Sequence, residues 1–110
     1  MIFQVKVSQR AKQDIREIQA WIKSRSLTGA AAWLAALEKC ISQLSECADS
    51  NATAPEADDL GIDLKQQLFK KRRGNSYRLL FVIRAETVLI LAVRGMGQDL
   101  LHDGDIESPD

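Results

Sequence analysis

The segment Tyr77-Arg78-Leu79-Leu80-Phe81-Val82-Ile83-Arg84 leaves the chain few possible architectures. At a strand's period of two, Tyr77, Leu79, Phe81 and Ile83 lie on one face and Arg78, Leu80, Val82 and Arg84 on the other. Both faces are therefore largely apolar except at the ends, and a strand of this kind belongs at the centre of a sheet. Leu64 to Lys70 and Thr87 to Arg94 read as strands on either side of it in the chain. Lys71 to Asn75, which contains Gly74-Asn75, reads as the turn joining the first two strands. The three strands are expected to form an antiparallel meander.

The N-terminal half follows two different periods. Phe3, Val5 and Val7 alternate with Gln4 and Lys6, the pattern of a half-buried strand from Ile2 to Val7. After Ser8, a good helix N-cap, Ala11, Ile15, Ile18 and Ile22 recur four, three and four apart, with Trp21 beside them, predicting a helix to about Ser24. Arg25-Ser26-Leu27 reads as a connection, and Thr28 is placed to cap a second helix with a stripe of Leu34, Leu37, Ile41 and Leu44. Trp33, Cys40 and Cys47 widen that stripe. So short a linker predicts an antiparallel helical hairpin lying on the sheet. From Ala48 to Asp63 no periodicity survives, and the segment reads as a long, mobile loop. Met96 to Leu101 has room for a turn of helix, while His102 to Asp110 has almost no apolar content and reads as frayed. The expected fold is α+β in the order β-α-α-β-β-β, with a helical hairpin packed on a mainly antiparallel four-stranded sheet. At 110 residues the chain reads as one domain, 1–102, with an acidic flexible tail, 103–110.

Several function classes drop out at this stage. The longest apolar stretch, Leu79 to Ile83, is far short of the roughly 18 residues that a membrane span requires. The first residues carry no basic leader followed by an apolar run, so a cytoplasmic location is expected. Cys40 and Cys47 fall in one predicted helix, about 10.5 Å apart along its axis, too far for a disulfide, and both read as small core residues. With no Cys-x-x-Cys pair and no histidine cluster, neither a metal site nor a cofactor is expected.

The zero net charge, from 15 basic and 15 acidic residues, conceals a block structure. Residues 1–50 carry a net +2 and residues 51–63 a net −4, from Glu56, Asp58, Asp59 and Asp63. Residues 64–98 set Lys65, Lys70, Lys71, Arg72, Arg73, Arg78, Arg84 and Arg94 against the single acid Glu86, a net +7. The tail, 99–110, returns to −5. A basic block on the predicted sheet, bracketed by acidic segments, points to an anionic partner that the total alone hides. The acidic segments are expected to screen the basic face partly, and removal of 103–110 to strengthen binding to that face.

In this order the chain resembles the RelE/ParE superfamily of bacterial toxins from type II toxin-antitoxin modules, over nearly its whole length. The residues that carry the resemblance begin with the opening strand and Ser8-x-x-Ala11-x-x-Asp14-Ile15-x-x-Ile18-x-x-Trp21-Ile22. The small-residue entrance of the second helix follows, Ala31-x-x-Leu34-x-x-Leu37, and then the basic hairpin Leu68-Phe69-Lys70-Lys71-Arg72-Arg73-Gly74. Last come Tyr77-Arg78-Leu79-Leu80-Phe81 and Val88-Leu89-Ile90-Leu91-Ala92-Val93-Arg94.

The resemblance implies a growth-repressing toxin with a cognate antitoxin as partner, and two possible targets. The leading expectation is repression of translation, with mRNA on the ribosome cut by a metal-independent, RelE-like endoribonuclease reaction; the alternative target is DNA gyrase, inhibited without catalysis by a ParE-like toxin. A copy that only binds its antitoxin is a third possibility. For the nuclease, Arg78 and Arg94 match phosphate-contacting arginines of the family, and Lys70, Lys71, Arg72 and Arg73 would hold RNA or a protein partner. Arginine suits the first role because its planar fork is always charged. The 2′-hydroxyl would attack the adjacent phosphate, and either arginine would stabilise the added charge. Family nucleases often place a His or Tyr after the last strand, where this chain reads Arg94-Gly95-Met96-Gly97-Gln98-Asp99. That leaves Tyr77 and His102 as candidate acid and base.

Overall fold

The computed structural model describes residues 2–70 and 76–95. Strand β1 (Gln4–Val7) leads into α1 (Gln9–Lys23) and α2 (Leu27–Cys47). A 3-10 turn, Ala48–Ser50, precedes the short strand β2 (Ala52–Thr53) and one turn of helix, α3 (Ala57–Leu60). Strands β3 (Lys65–Phe69), β4 (Tyr77–Arg84) and β5 (Thr87–Gly95) follow. The predicted turn Lys71–Asn75, the predicted helical turn Met96–Leu101 and the tail lie outside the described residues.

Among the described residues the sheet has five strands in the order β1-β5-β4-β3-β2. The meander is antiparallel, β4 is central as its two apolar faces require, and β1 joins β5 in parallel from Gln4 opposite Thr87 to Val7 opposite Ile90. The fifth strand comes from the segment read as a featureless loop: Ala52 and Thr53 pair with Gln66 and Lys65. That expectation is corrected by the fold, since Ala48–Asp63 is built of a 3-10 turn, a strand and a helical turn. Two-residue strands and single-turn helices are too short to leave a periodic signature.

Both helices lie on one face of the sheet. Trp33, Leu37 and Leu44 of α2 and Ala11 and Ile22 of α1 pack with Leu79, Phe81, Val88, Ile90 and Val93. On the opposite face Leu80, Val82, Leu91 and Ala92 pack with Ala54, Ala57 and Leu64, so the β2–α3 segment is the second cover. The sheet is thus sandwiched, and that explains why β4 is apolar on both sides.

Ser8 caps α1 by accepting the Ala11 amide at 3.1 Å. The cap of α2 is Ser26 rather than Thr28: its Oγ accepts the Gly29 amide at 2.9 Å, and Leu27 is already helical. Ser26 has the extended backbone that an N-cap adopts, and it meets the first free amide sooner. Cys40 is buried as expected, whereas Cys47 is exposed at the end of α2. Among the described residues no helix is long and apolar enough to cross a membrane.

Candidate functional site

The two arginines singled out in the sequence are brought together by an irregularity in β5. Leu80 stands opposite Ala92 but Phe81 stands opposite Ile90, so Leu91 is an extra residue, a β-bulge. Leu91 and Ala92 consequently face the same side, away from the helices. Beyond the bulge the alternation is inverted: Val93 packs under the helices and Arg94 falls directly opposite Arg78 in register. Cross-strand partners share a face, so both arginines stand on the side of the sheet away from α1 and α2.

Two like charges in direct opposition would destabilise the strand pair. An acid from the second cover relieves this. Arg78 is buried, with 6% of its surface exposed, and its two terminal nitrogens donate to the two carboxylate oxygens of Glu56 at 2.8 and 2.7 Å. Glu56 is itself only 1% exposed. Gln66 on β3 accepts a further bond from the same guanidinium at 3.2 Å. The pairing is the two-pronged geometry for which arginine is suited. With both prongs engaged, the Arg78 fork meets a carboxylate of the chain itself, and a phosphate would have to displace Glu56 to reach it.

Tyr77 stands on the other face. Its ring meets Trp33 edge-on at 5.6 Å and stacks on Phe69 at 5.8 Å. Burial pushes the phenol above its ordinary pKa, making it a weaker acid. The sheet therefore separates Tyr77 from Arg78 and Arg94. Lys70 is exposed just past the end of β3, while Lys71, Arg72, Arg73 and His102 lie outside the described residues. Among the described residues no group of His, Cys, Asp and Glu side chains is assembled that could hold a metal ion.

Two contributors to this end of the molecule carry no signal in sequence periodicity. Glu56 is one; an arginine inside an otherwise apolar strand needs a buried acid, and the nearby acidic segment was the place to look for it. Asp14 is the other. Strand β1 ends at Val7, opposite Ile90, so β5 continues past its neighbour with an unpaired edge. Helix α1 covers that edge: Ser8 Oγ donates to the Leu91 carbonyl at 3.2 Å, and Asp14 accepts the buried Val93 amide at 3.0 Å. The other Asp14 oxygen accepts from Arg10 at 3.0 Å. In this way α1 secures the strand segment that presents Arg94.

Comparison with known proteins agrees with this architecture. Residues 5–100 match the family model described as the ParE toxin of the type II toxin-antitoxin system, parDE. A chain in the crystal structure of the toxin-antitoxin complex RelBE2 from Mycobacterium tuberculosis has a similar fold, with a TM-score of 0.50 and 24% identity, over 86% of this chain and 99% of that one. No curated protein matches the sequence. A family match across nearly the whole α+β sandwich carries the conclusion: this chain belongs to the ParE toxins of type II toxin-antitoxin systems.

Proposed function

We propose that this toxin acts by binding, as a ParE-type inhibitor of DNA gyrase, and not by cutting RNA. The observation that carries the reading is the engagement of Arg78. Its fork is closed by Glu56 in a buried pair, and the phenol of Tyr77 is on the far side of the sheet. A nuclease of the expected kind needs a cation at the phosphate and a proton acceptor on the same side of it. The family match to ParE toxins supports the same reading. Purified toxin added to gyrase and relaxed plasmid should block supercoiling, while message on translating ribosomes stays whole. Full supercoiling at excess toxin would remove the proposal.

One observation favours the alternative, RelE-like cleavage of mRNA at the ribosome. Arg78 and Arg94 oppose each other on one face, and paired guanidiniums suit the doubly liganded phosphate of a transition state. On this reading Lys70, with Lys71, Arg72 and Arg73, would track the RNA backbone. Discrete cuts in ribosome-bound message, lost in Arg94→Ala, would establish it.

Either way the toxin's partner is a cognate antitoxin, with residues 1–102 as the toxin domain and 103–110 as an acidic tail. A partly disordered antitoxin segment folding onto the toxin would lay acids against the basic block and apolar side chains against the sheet or helices. Co-purification with the product of the neighbouring gene should then weaken as salt is raised.

A further inference from the structure

The segment from Ala54 to Leu64 is a closed loop. The Ala54 amide donates to the Leu64 carbonyl at 2.8 Å, which draws its ends together. Inside it the amides of Ala57, Leu60 and Gly61 donate to Ala54, Glu56 and Ala57 at 3.1, 3.0 and 2.9 Å, and Gly61 at φ 68° turns the chain out of α3. These backbone bonds close within the loop itself. What fastens it onto β4 and β5 is side-chain contact: Ala57, Leu60 and Ile62 against Leu80, Val82 and Leu91, and the Glu56–Arg78 pair. Lifting such a loop as a unit would leave the sheet's ladder unbroken.

The fastening has a distinctive chemistry. A buried carboxylate and guanidinium pair gains little over apolar packing of the same volume, yet it demands a partner of matching charge and geometry. Under the loop lies an apolar strip with one carboxylate-binding fork at its end. We propose that residues 54–64 form a lid latched by Glu56 on Arg78. The strip beneath it is a docking site for a partner segment with a carboxylate side chain flanked by small and apolar residues. The loop is the internal stand-in for that segment: Ala54-Pro55-Glu56-Ala57 supplies the acid between small residues, and Leu60, Ile62 and Leu64 the apolar run. A side-chain carboxylate fits the fork because Glu56 already meets it with two bonds, and the strip that runs on from it, Leu80, Val82 and Leu91, is apolar. The inference goes beyond the proposed mode of action and does not depend on whether the target is gyrase or mRNA.

The test uses the full chain and a fluorescent synthetic peptide of the loop's own sequence, Asn51 to Leu64. Glu56→Gln weakens the latch without changing side-chain size. It should bind the peptide at least about tenfold more tightly than the wild type, a change of about 1.4 kcal/mol. A peptide with Gln in place of its glutamate, or the toxin variant Glu56→Gln/Arg78→Gln, should lose that gain. Hydrogen exchange of Glu56→Gln should accelerate in 54–64 and leave β4 and β5 protected. Gly61→Val, which strains the positive φ without touching the latch, provides a second variant and should accelerate the same amides. Equal acceleration through the whole chain in both variants would make the pair an ordinary element of the core and overturn the lid. Peptide affinity unchanged by Glu56→Gln would overturn the docking site. A concentration-dependent dimer of Glu56→Gln that excludes the peptide would make a second copy's loop the occupant and overturn the partner assignment.

Discussion

Asp14 and Val93, separated by 79 positions in sequence, meet at 3.0 Å, where a helix carboxylate accepts a buried strand amide. The contact substitutes for a neighbouring strand that β1 is too short to provide. Asp14→Ala would leave the Val93 amide without an acceptor in a buried setting, at a cost of about 1–3 kcal/mol. Asp14→Asn keeps an acceptor oxygen and should lose less. Urea unfolding followed by circular dichroism ranks the two, and equal stabilities would contradict the role given to the carboxylate.

The Arg78–Glu56 pair bears on every activity assay of Arg78. Removing one partner strands the other as a buried charge, so Arg78→Ala should cost about 3–5 kcal/mol. Replacing both, as in Arg78→Met/Glu56→Leu, should restore much of that loss. Thermal melts of the two variants test this. An Arg78→Ala protein as stable as the wild type would show that the pair is not the structural contact described.

Helix α2 should depend on Ser26 and not on Thr28. Ser26→Ala removes the acceptor for the Gly29 amide and should destabilise by about 1 kcal/mol, whereas Thr28→Ala should stay within about 0.5 kcal/mol. Denaturation midpoints of the two single variants decide between the caps.

The turn between β4 and β5 carries a non-glycine residue in the left-handed region, Ala85 at φ 53°. A side chain there costs about 1–2 kcal/mol, part of which glycine gives back as extra freedom in the unfolded chain. Ala85→Gly should therefore stabilise by roughly 0.5–1 kcal/mol. A lower unfolding midpoint would contradict the assigned turn geometry.

The two thiols should react at different rates. Burial pushes the Cys40 thiol up to about 12, so its reactive thiolate is scarce near pH 8, while Cys47 is exposed. A disulfide reagent at pH 8 should label one thiol per native chain and the second only on unfolding. Cys47→Ser should abolish the native signal.

The parts of this fold that follow a long period are legible in the sequence. The stripes of α1 and α2 and the two faces of β4 each repeat several times, so local pattern and tertiary environment agree. The second cover was not readable, because Ala52–Thr53 and Ala57–Leu60 are shorter than one repeat of any pattern. Arg78 was legible as unusual but not as paired. An arginine looks the same in sequence whether it awaits a phosphate or is held by an acid 22 positions away. The sequence places Arg94 at the end of the last strand, but strict alternation points it toward the helices. Tyr77 illustrates the reverse: its strand parity puts it on the face opposite Arg78, and the structure adds the burial that raises its pKa.

That parity makes Leu91 a counter. Because Leu91 and Ala92 share one face, the bulge absorbs the inserted residue, and the side on which Arg94 emerges depends on that bulge being kept. Ironing out the bulge with every residue kept would restore simple alternation and turn Val93 and Arg94 over together, sending a charge toward Trp33 and a valine toward Glu56. The arginine pair would be dismantled with every one of its residues still present. Strand geometry at this one point thus keeps the two arginines together, as much as composition does.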